Sequence, residues 1–174
     1  MHTVQLMLIE DDDPTATLDS VKRYVQGRLD EFLDGSGGAS WCDWYEVGGR
    51  WSGHYIEGDA LRYSDDPEKF QALVDEFLKA RTTEFHQWLD EYADEATAGN
   101  YDNLRDADVT GREGWSYNRK QTLLMNALKA VNDYWTQDSK LFDLTNHTTF
   151  IRNFNERVAE RPEQQYLVVV DFHF

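Results

Sequence analysis

The chain contains little cysteine and no long apolar segment. A single cysteine, Cys42, among 174 residues excludes an internal disulfide framework and any zinc site built from several cysteines. No apolar run approaches the roughly 20 residues that a transmembrane helix needs. The first residues, Met1 to Val4, lack the basic and then apolar order of a signal peptide. We therefore expect a protein of a reduced, cytoplasmic compartment that makes no contact with a membrane.

Basic side chains are also scarce. The chain has 17 Lys and Arg against 33 Asp and Glu, which gives a formal net charge of −16. Residues 57–108 alone hold 15 acids and 5 bases, a local charge of −10. A folded surface of this kind repels nucleic acid and anionic lipid and attracts basic surfaces. We therefore expect a partner protein with a basic surface, and no direct binding to nucleic acid.

Aromatic residues make up 14% of the chain, which is enough to build a core and excludes wholesale disorder. Apolar runs predict strands at 4–9 and 166–170, and helical spacing of apolar residues predicts helices at 15–34, 67–97, 117–136 and 147–160. The 67–97 segment reads as one helix or as two joined near Thr82. Residues 99–116 read as an irregular loop, and the Gly48-Gly49 pair predicts a hairpin or a bulge at 41–56.

These elements predict an α+β fold. The two terminal strands pair at the centre of a small sheet, the 41–56 hairpin extends it, and several helices pack against it, including the long acidic one. We expect one domain over residues 1–174. As an alternative, residues 57–136 form a helical insertion within this domain.

The long helix carries the first candidate site. Carboxylates spaced along a rigid helix can imitate a row of DNA phosphates and occupy a surface that binds nucleic acid. The alternative is a solvated helix face that only keeps the protein soluble. Trp88 and Tyr92 would anchor a partner if they are exposed. The candidate partner-binding residues are Asp75, Glu76, Glu84, Asp90, Glu91, Asp94 and Glu95.

The aromatic segment WCDWYEVGGRWSGHYI at 41–56 carries the second candidate site, for a small ligand or nucleotide. Trp44, Tyr45 and Trp51 supply flat faces for stacking, and Arg50 supplies a planar cation for an anion. The glycine pair allows backbone N–H groups to approach a ligand closely. The alternative is a tight hairpin whose aromatic residues fill the core and whose Arg50 pairs with a nearby acid.

The run Trp44 to Gly53, preceded by Asp43, resembles a W-Y-x-x-G-G-R-W-x-G signature of small bacteriophage and prophage proteins. The match covers about 13 residues firmly, and the first strand with its acidic Asp/Pro turn is similar as well. The resemblance carries no catalytic assignment. It implies a small phage protein inside a host cell, where inhibitors of host defence are common. The leading hypothesis is therefore an acidic, DNA-mimic-like inhibitor of a host defence or DNA-handling protein.

Other candidates have weaker patterns. Asp11, Asp12 and Asp13 follow a strand and could hold a divalent cation, or form the turn into a helix that Asp13 or Thr15 caps. His147 begins an H-x-T pattern typical of half of a phosphoesterase site, or starts a helix. The acidic surroundings of Cys42 favour a raised thiol pKa. The basic residues Arg112, Arg119, Lys120 and Lys129 could contact the acidic helix, within the fold or in a homodimer. We assign no catalytic residue, metal or cofactor.

Overall fold

The computed structural model describes residues 1–13, 15–34, 42–97, 140–149, 151 and 153–173. Strand β1 (His2–Glu10) and strand β5 (Gln165–His173) form the centre of a mixed five-stranded sheet. They run antiparallel along their whole length, from the pair His2 and His173 to the pair Glu10 and Gln165. The predicted α+β class and the central pairing of the terminal strands are therefore confirmed.

The predicted hairpin at 41–56 is wrong. Strand β2 (Trp44–Val47) and strand β3 (Ala60–Arg62) both pair antiparallel with β5, and they lie end to end along the same edge of it. Between them, Gly48 and Gly49 adopt φ of 75° and 50°, and the chain enters a 3₁₀ turn over Gly49–Trp51. The glycine pair therefore turns the chain off the sheet and does not fold it back on itself.

Strand β4 (Leu141–Asp143) pairs parallel with β1 on the opposite edge, and the sequence patterns did not predict it. The helix predicted at 147–160 is shorter, since helix α3 covers only Phe154–Glu160. Helix α1 spans Leu18–Asp34, and helix α2 runs without a break over Pro67–Thr97, as one of the two alternatives predicted. The predicted loop at 99–116 and helix at 117–136 lie outside the described residues.

The sheet separates two apolar clusters because side chains alternate between its faces. On one face, Met7 and Ile9 pack against Val21, Val25 and Leu29 of α1. The other face packs against the first turns of α2 through a second cluster, which includes Leu6, Leu8, Leu167, Val169, Phe70, Val74 and Phe77. Complete burial of a side chain such as Phe70 contributes about 1.5–3 kcal/mol to folding.

The chain forms two compact units. Residues 1–78 and 133–174 make the first, which contains the whole sheet, and residues 79–132 make the second. The described part of the second unit is the stretch 79–97 of α2. The predictions of one domain and of an insertion at 57–136 both stay predictions.

Candidate functional site

Three rings from neighbouring strands cluster together at one end of the sheet. His173 of β5 stands opposite His2 of β1 on one side and opposite Trp44 of β2 on the other. The Trp44 and His173 rings stack, with centroids 5.2 Å apart and planes 10° apart. The His2 ring meets both edge-on, at 4.9 Å from His173 and 5.5 Å from Trp44. Trp44 is 44% exposed, so part of this aromatic surface faces solvent.

A buried carboxylate lies beside this cluster of rings, two residues before His173 on the same face of β5. The Asp171 side chain is 1% exposed, whereas that of His2 is 18% exposed. His2 Nδ1 lies 3.1 and 3.0 Å from the two carboxylate oxygens of Asp171. An ionised carboxylate can only accept hydrogen bonds, so His2 donates from Nδ1 and its Nε2 is on the far side of the ring. Asp171 therefore fixes the orientation of the His2 imidazole.

The Gly48-Gly49-Arg50 turn contacts the Asp171 side chain through Gly49 and Arg50. The backbone N–H of Arg50 donates to Asp171 Oδ2 at 3.0 Å. A Cβ on Gly49 would lie 2.6 Å from the Cβ of Asp171, closer than such atoms approach in proteins. Glycine is required here for the close approach, and the backbone N–H helps to satisfy a carboxylate that burial would otherwise destabilise.

The second imidazole also has a carboxylate neighbour. His173 Nδ1 lies 3.3 Å from Asp43 Oδ2, within ion-pair distance but outside hydrogen-bond geometry. The His173 side chain is 33% exposed and that of Asp43 is 70% exposed. The backbone N–H of Asp43 donates to the His173 carbonyl oxygen at 2.7 Å, which holds the two residues together. The site therefore contains two solvent-accessible imidazoles, each beside an aspartate.

Arg50 adds an exposed cationic side chain to the turn that contacts Asp171. Its backbone contacts Asp171, its side chain is exposed, and its guanidinium forms no ion pair or hydrogen bond with the part of the chain that the structure describes. The sequence-based alternative, in which Arg50 pairs with a nearby acid, is therefore not seen among the described residues. A planar guanidinium with open donor positions is suited to a carboxylate or phosphate group.

The other two residues of the predicted ligand site pack against the apolar clusters of the sheet. Tyr45 points to the opposite face of the sheet, where it packs on the α1 side and its hydroxyl hydrogen-bonds to Gln26 and Asp30. Trp51 is partly buried and packs against the α2-side cluster, with its ring 6.2 Å from that of Tyr55. Both therefore act in packing, in agreement with the alternative that aromatic residues of this segment fill the core.

The seven predicted partner-binding acids divide between the two units. Asp75 and Glu76 are exposed in the first unit. The other five belong to the second, where Asp90 is exposed, Glu84 and Glu91 are partly buried, and the side chains of Asp94 and Glu95 lie outside the described residues. Of the predicted anchors, Trp88 is partly buried, and the Tyr92 side chain also lies outside the described residues.

The negative charge belongs mainly to the unit that contains the sheet. This unit has 24 acids and 10 bases, a net charge of −14, whereas residues 79–132 have 9 acids and 7 bases, a net charge of −2. Among its described residues, four bases are exposed, namely Arg23, Arg50, Lys69 and Arg161. The exposed acids there are Asp12, Asp13, Asp19, Asp30, Glu31, Asp43, Glu46, Glu57, Asp65, Asp66, Glu68, Asp75, Glu76, Glu156 and Glu160.

An open groove of about 430 Å³ lies between α2 and α3 in the same unit. Its apolar lining comes from Val74, Leu78, Ile151 and Phe154, and its polar lining includes the carboxylates of Asp75 and Glu156. The remaining lining residues are Gln71, Asn153 and Asn155. The groove therefore combines an apolar floor with negative charge, and one of the predicted partner-binding acids, Asp75, lines it.

The weaker sequence candidates have structural contacts of their own. Asp11 Oδ1 accepts the N–H of Asp13, and Asp13 Oδ1 accepts both the N–H and the hydroxyl of Thr15, which lowers the pKa of Asp13. Helix α1 is capped further along, by reciprocal hydrogen bonds between Thr17 and Ser20. No cluster of three or more His, Cys, Asp or Glu side chains suited to a metal ion is found among the described residues.

The predicted rise in the pKa of the Cys42 thiol is confirmed. Burial is the larger cause of this rise, and the adjacent carboxylate of Asp43 raises the pKa further.

His147 is exposed, and its Nε2 lies 2.9 Å from Nη2 of Arg28. It precedes α3 by several residues and does not start the helix, so that part of the prediction is wrong. The basic stretch from Arg112 to Lys129 lies outside the described residues.

Sequence reasoning missed His2, Asp171 and His173 as a site. The available signal was the predicted pairing of the terminal strands, because an antiparallel pair in this register places residues near position 2 opposite residues near position 173. No protein-family model, curated protein or solved structure matches the chain. Among the described helices, none has both the length and the apolar character to cross a bilayer.

Proposed function

We propose that the protein is an acidic inhibitor that binds the basic, nucleic-acid-binding surface of a host defence or DNA-handling protein. The observation that carries the proposal is the excess of exposed acids over exposed bases in the described part of the sheet-containing unit, fifteen against four. A surface of this charge attracts a basic partner over a distance of about one Debye length, roughly 8 Å at physiological salt.

The groove between α2 and α3 supplies a place for specific contact. Long-range attraction sets the rate of encounter, but affinity comes mostly from apolar side chains buried at the centre of an interface. Val74, Leu78, Ile151 and Phe154 provide such an apolar floor, and Asp75 and Glu156 provide carboxylates beside it. The occupant that fits is a partner segment with an apolar side chain flanked by Lys or Arg.

A charge-reversal variant tests this function. We expect Asp75→Lys, Glu76→Lys and Glu156→Lys together to abolish capture of a nucleic-acid-binding protein from host lysate, and the wild-type protein to displace DNA from the captured partner. Binding by the wild type should also weaken steeply as salt rises.

The matched control is Asp12→Lys, Glu31→Lys and Glu57→Lys, which changes the net charge equally at exposed positions that do not line the groove. If both triple variants lose binding equally, general charge and not the groove is responsible. If the reversed variant binds as well as the wild type, or the wild type does not compete with DNA, the proposal fails.

We propose ligand binding by Trp44 and Arg50 as a second candidate function, because Trp44 presents an exposed ring beside His2 and His173, and the exposed Arg50 contacts Asp171 through its backbone N–H. A nucleotide supplies both a base to stack on Trp44 and a phosphate to pair with Arg50. Calorimetry with mononucleotides and dinucleotides should give heat that Arg50→Ala abolishes. The control is Arg23→Ala, which removes an exposed arginine from α1. Absence of heat with every nucleotide contradicts this candidate.

A further inference from the structure

We propose that His2, His173 and Arg50 form a general acid–base centre that cleaves the phosphodiester bond of short ribonucleotides. The inference rests on the second candidate function, since it takes the same ligand site and assigns it a reaction. It depends on four features of the site: an oriented base, a second imidazole, a cation without an ion pair among the described residues, and an exposed aromatic ring.

His2 has the features of a general base. Asp171 is buried to 1% exposure and accepts from His2 Nδ1 at both of its oxygens, so the neutral imidazole carries its proton on Nδ1 and a lone pair on Nε2. A carboxylate that holds a histidine in one tautomer in this way is a recurring arrangement in proton-transfer enzymes. Asp171 is a positioning residue here, because it acts on the substrate only through His2.

His173 supplies the complementary acid. Its ring centroid lies 4.9 Å from that of His2 and its side chain is 33% exposed, so the two imidazoles are close enough together to contact one bound molecule. The groups that face His2 are Asp171 and His173 on β5 and Trp44 on β2, and the backbone N–H of Arg50 donates to Asp171. Transfer of a phosphoryl group between two oxygens needs one proton removed and one donated, which two imidazoles can do together.

The remaining groups define the substrate class. The Arg50 guanidinium fits the non-bridging oxygens of a phosphodiester, and the exposed face of Trp44 fits a base. The nucleophile in this proposal is the 2′-hydroxyl of a ribose in the substrate, and among the described residues no serine, threonine or cysteine side chain hydrogen-bonds to His2. The net charge of −14 on this unit repels a long polyanion far more than a dinucleotide, which makes the substrate short.

The step balances without a further reactant. His2 Nε2 takes the proton of the 2′-hydroxyl, the 2′-oxygen forms a bond to phosphorus, and the bond from phosphorus to the 5′-oxygen breaks. The His173 imidazolium donates its proton to that leaving oxygen. The products are a 2′,3′-cyclic phosphate and a 5′-hydroxyl, and proton exchange with water restores both imidazoles. Arg50 stabilises the charge on the non-bridging oxygens during the transfer.

Chromatography after incubation with the full set of ribodinucleoside monophosphates tests the proposal. We expect 2′,3′-cyclic phosphate products from the wild type, none from the deoxyribose analogues, and a rate that falls on both the acid and the alkaline side of its optimum. His2→Asn keeps a donor for Asp171 but has no base, so it should lose at least about 100-fold in rate with an unchanged melting temperature. His173→Asn should lose as much.

The matched control is His86→Asn, an exposed histidine of the second unit, which should retain the full rate. Cleavage by the wild type no faster than by the His2→Asn, His173→Asn double variant overturns the proposal, as does equal cleavage of the deoxyribose analogues. Calorimetry with the deoxyribose analogues separates ligand binding from catalysis. If the analogues give heat but the ribodinucleotides are not cleaved, ligand binding stands and catalysis is rejected. If the analogues give no heat and the ribodinucleotides are not cleaved, both are rejected.

Discussion

Gly49 lies directly against Asp171, and the contact joins the aromatic segment to the last strand of the chain. The Cα of Gly49 is so close that an added Cβ would meet the Cβ of Asp171 at 2.6 Å and a carboxylate oxygen at 2.9 Å. The next residue, Arg50, donates its backbone N–H to the same carboxylate. The conformation of this turn therefore affects the position of Asp171, which hydrogen-bonds to His2.

We expect Gly49→Ala to destabilise the protein by about 1–3 kcal/mol, because φ is 50° and the new methyl group collides with a buried side chain. Gly53→Ala is the control, since φ is 69° there but no atom lies within 4 Å, and it should cost about 1 kcal/mol. Urea unfolding measures both. Equal losses would mean that the contact with Asp171 adds nothing.

Gly27→Ala should act in the opposite direction. Gly27 lies within α1, and a Cβ there meets no atom within 4 Å. Alanine restricts the unfolded chain and favours the helix, so we expect a gain of about 0.5–1 kcal/mol in the free energy of unfolding. Thermal unfolding followed by circular dichroism checks this, and a lower melting temperature would contradict it.

The ion pairs of Arg157, at the other end of the sheet, predict a larger change in the free energy of unfolding than the glycine substitutions do. Arg157 bonds to Asp143, whose side chain is 1% exposed, and also donates to Glu10 at 3.2 Å. Arg157→Met leaves a buried carboxylate without its cation, and we expect a loss of about 3–5 kcal/mol. Arg161→Met also removes a cation from Glu10, but Arg161 is 53% exposed, so it should cost less than about 1 kcal/mol. Similar losses for the two variants in denaturant unfolding would contradict the distinction.

Tyr166 should make stability sensitive to alkaline pH. Burial raises the pKa of its hydroxyl, Arg62 lowers it, and Asp11 and Asp65 raise it again, with a net rise. The folded state then holds the proton more tightly than the unfolded state. The stabilisation that the raised pKa of Tyr166 contributes is complete below the pKa of tyrosine in the unfolded state, about 10. It is lost as pH rises from there through the higher pKa of Tyr166 in the folded state.

Tyr166→Phe should flatten the fall in stability above about pH 10. At neutral pH it should cost about 1 kcal/mol, because the hydrogen bond that Arg62 Nε donates to the hydroxyl is lost. The control is Tyr24→Phe, at a position that is 44% exposed, which should leave the alkaline limb of the pH profile unchanged. Urea midpoints measured across the alkaline range provide the test, and an unchanged slope for Tyr166→Phe would contradict the prediction.

Local sequence patterns were sufficient to predict the strands and helices whose apolar residues recur at a regular spacing. The buried runs of β1 and β5 and the helical spacing of Val21, Val25 and Leu29 each identify their element from neighbouring residues alone. The start of α2 at Pro67 was also predictable, because Asp66 precedes it and accepts the N–H of Lys69. Errors occurred where a short segment depends on what it pairs with. Strand β4 has three residues, too few for a recognisable period, and the Gly48-Gly49 pair fits a hairpin turn or an exit from the sheet equally well.

The amino-acid sequence by itself determined the class of fold, the central terminal strands and the strong negative charge, because these follow from composition and from periodicity within single segments. Only the tertiary structure decided that His2 and Asp171, 169 positions apart, share a hydrogen bond, that Trp44 faces solvent while Tyr45 packs against the core, and that most of the charge belongs to the sheet-containing unit. Strand register and the face on which each side chain lies are fixed by pairing between distant segments, which no local pattern encodes.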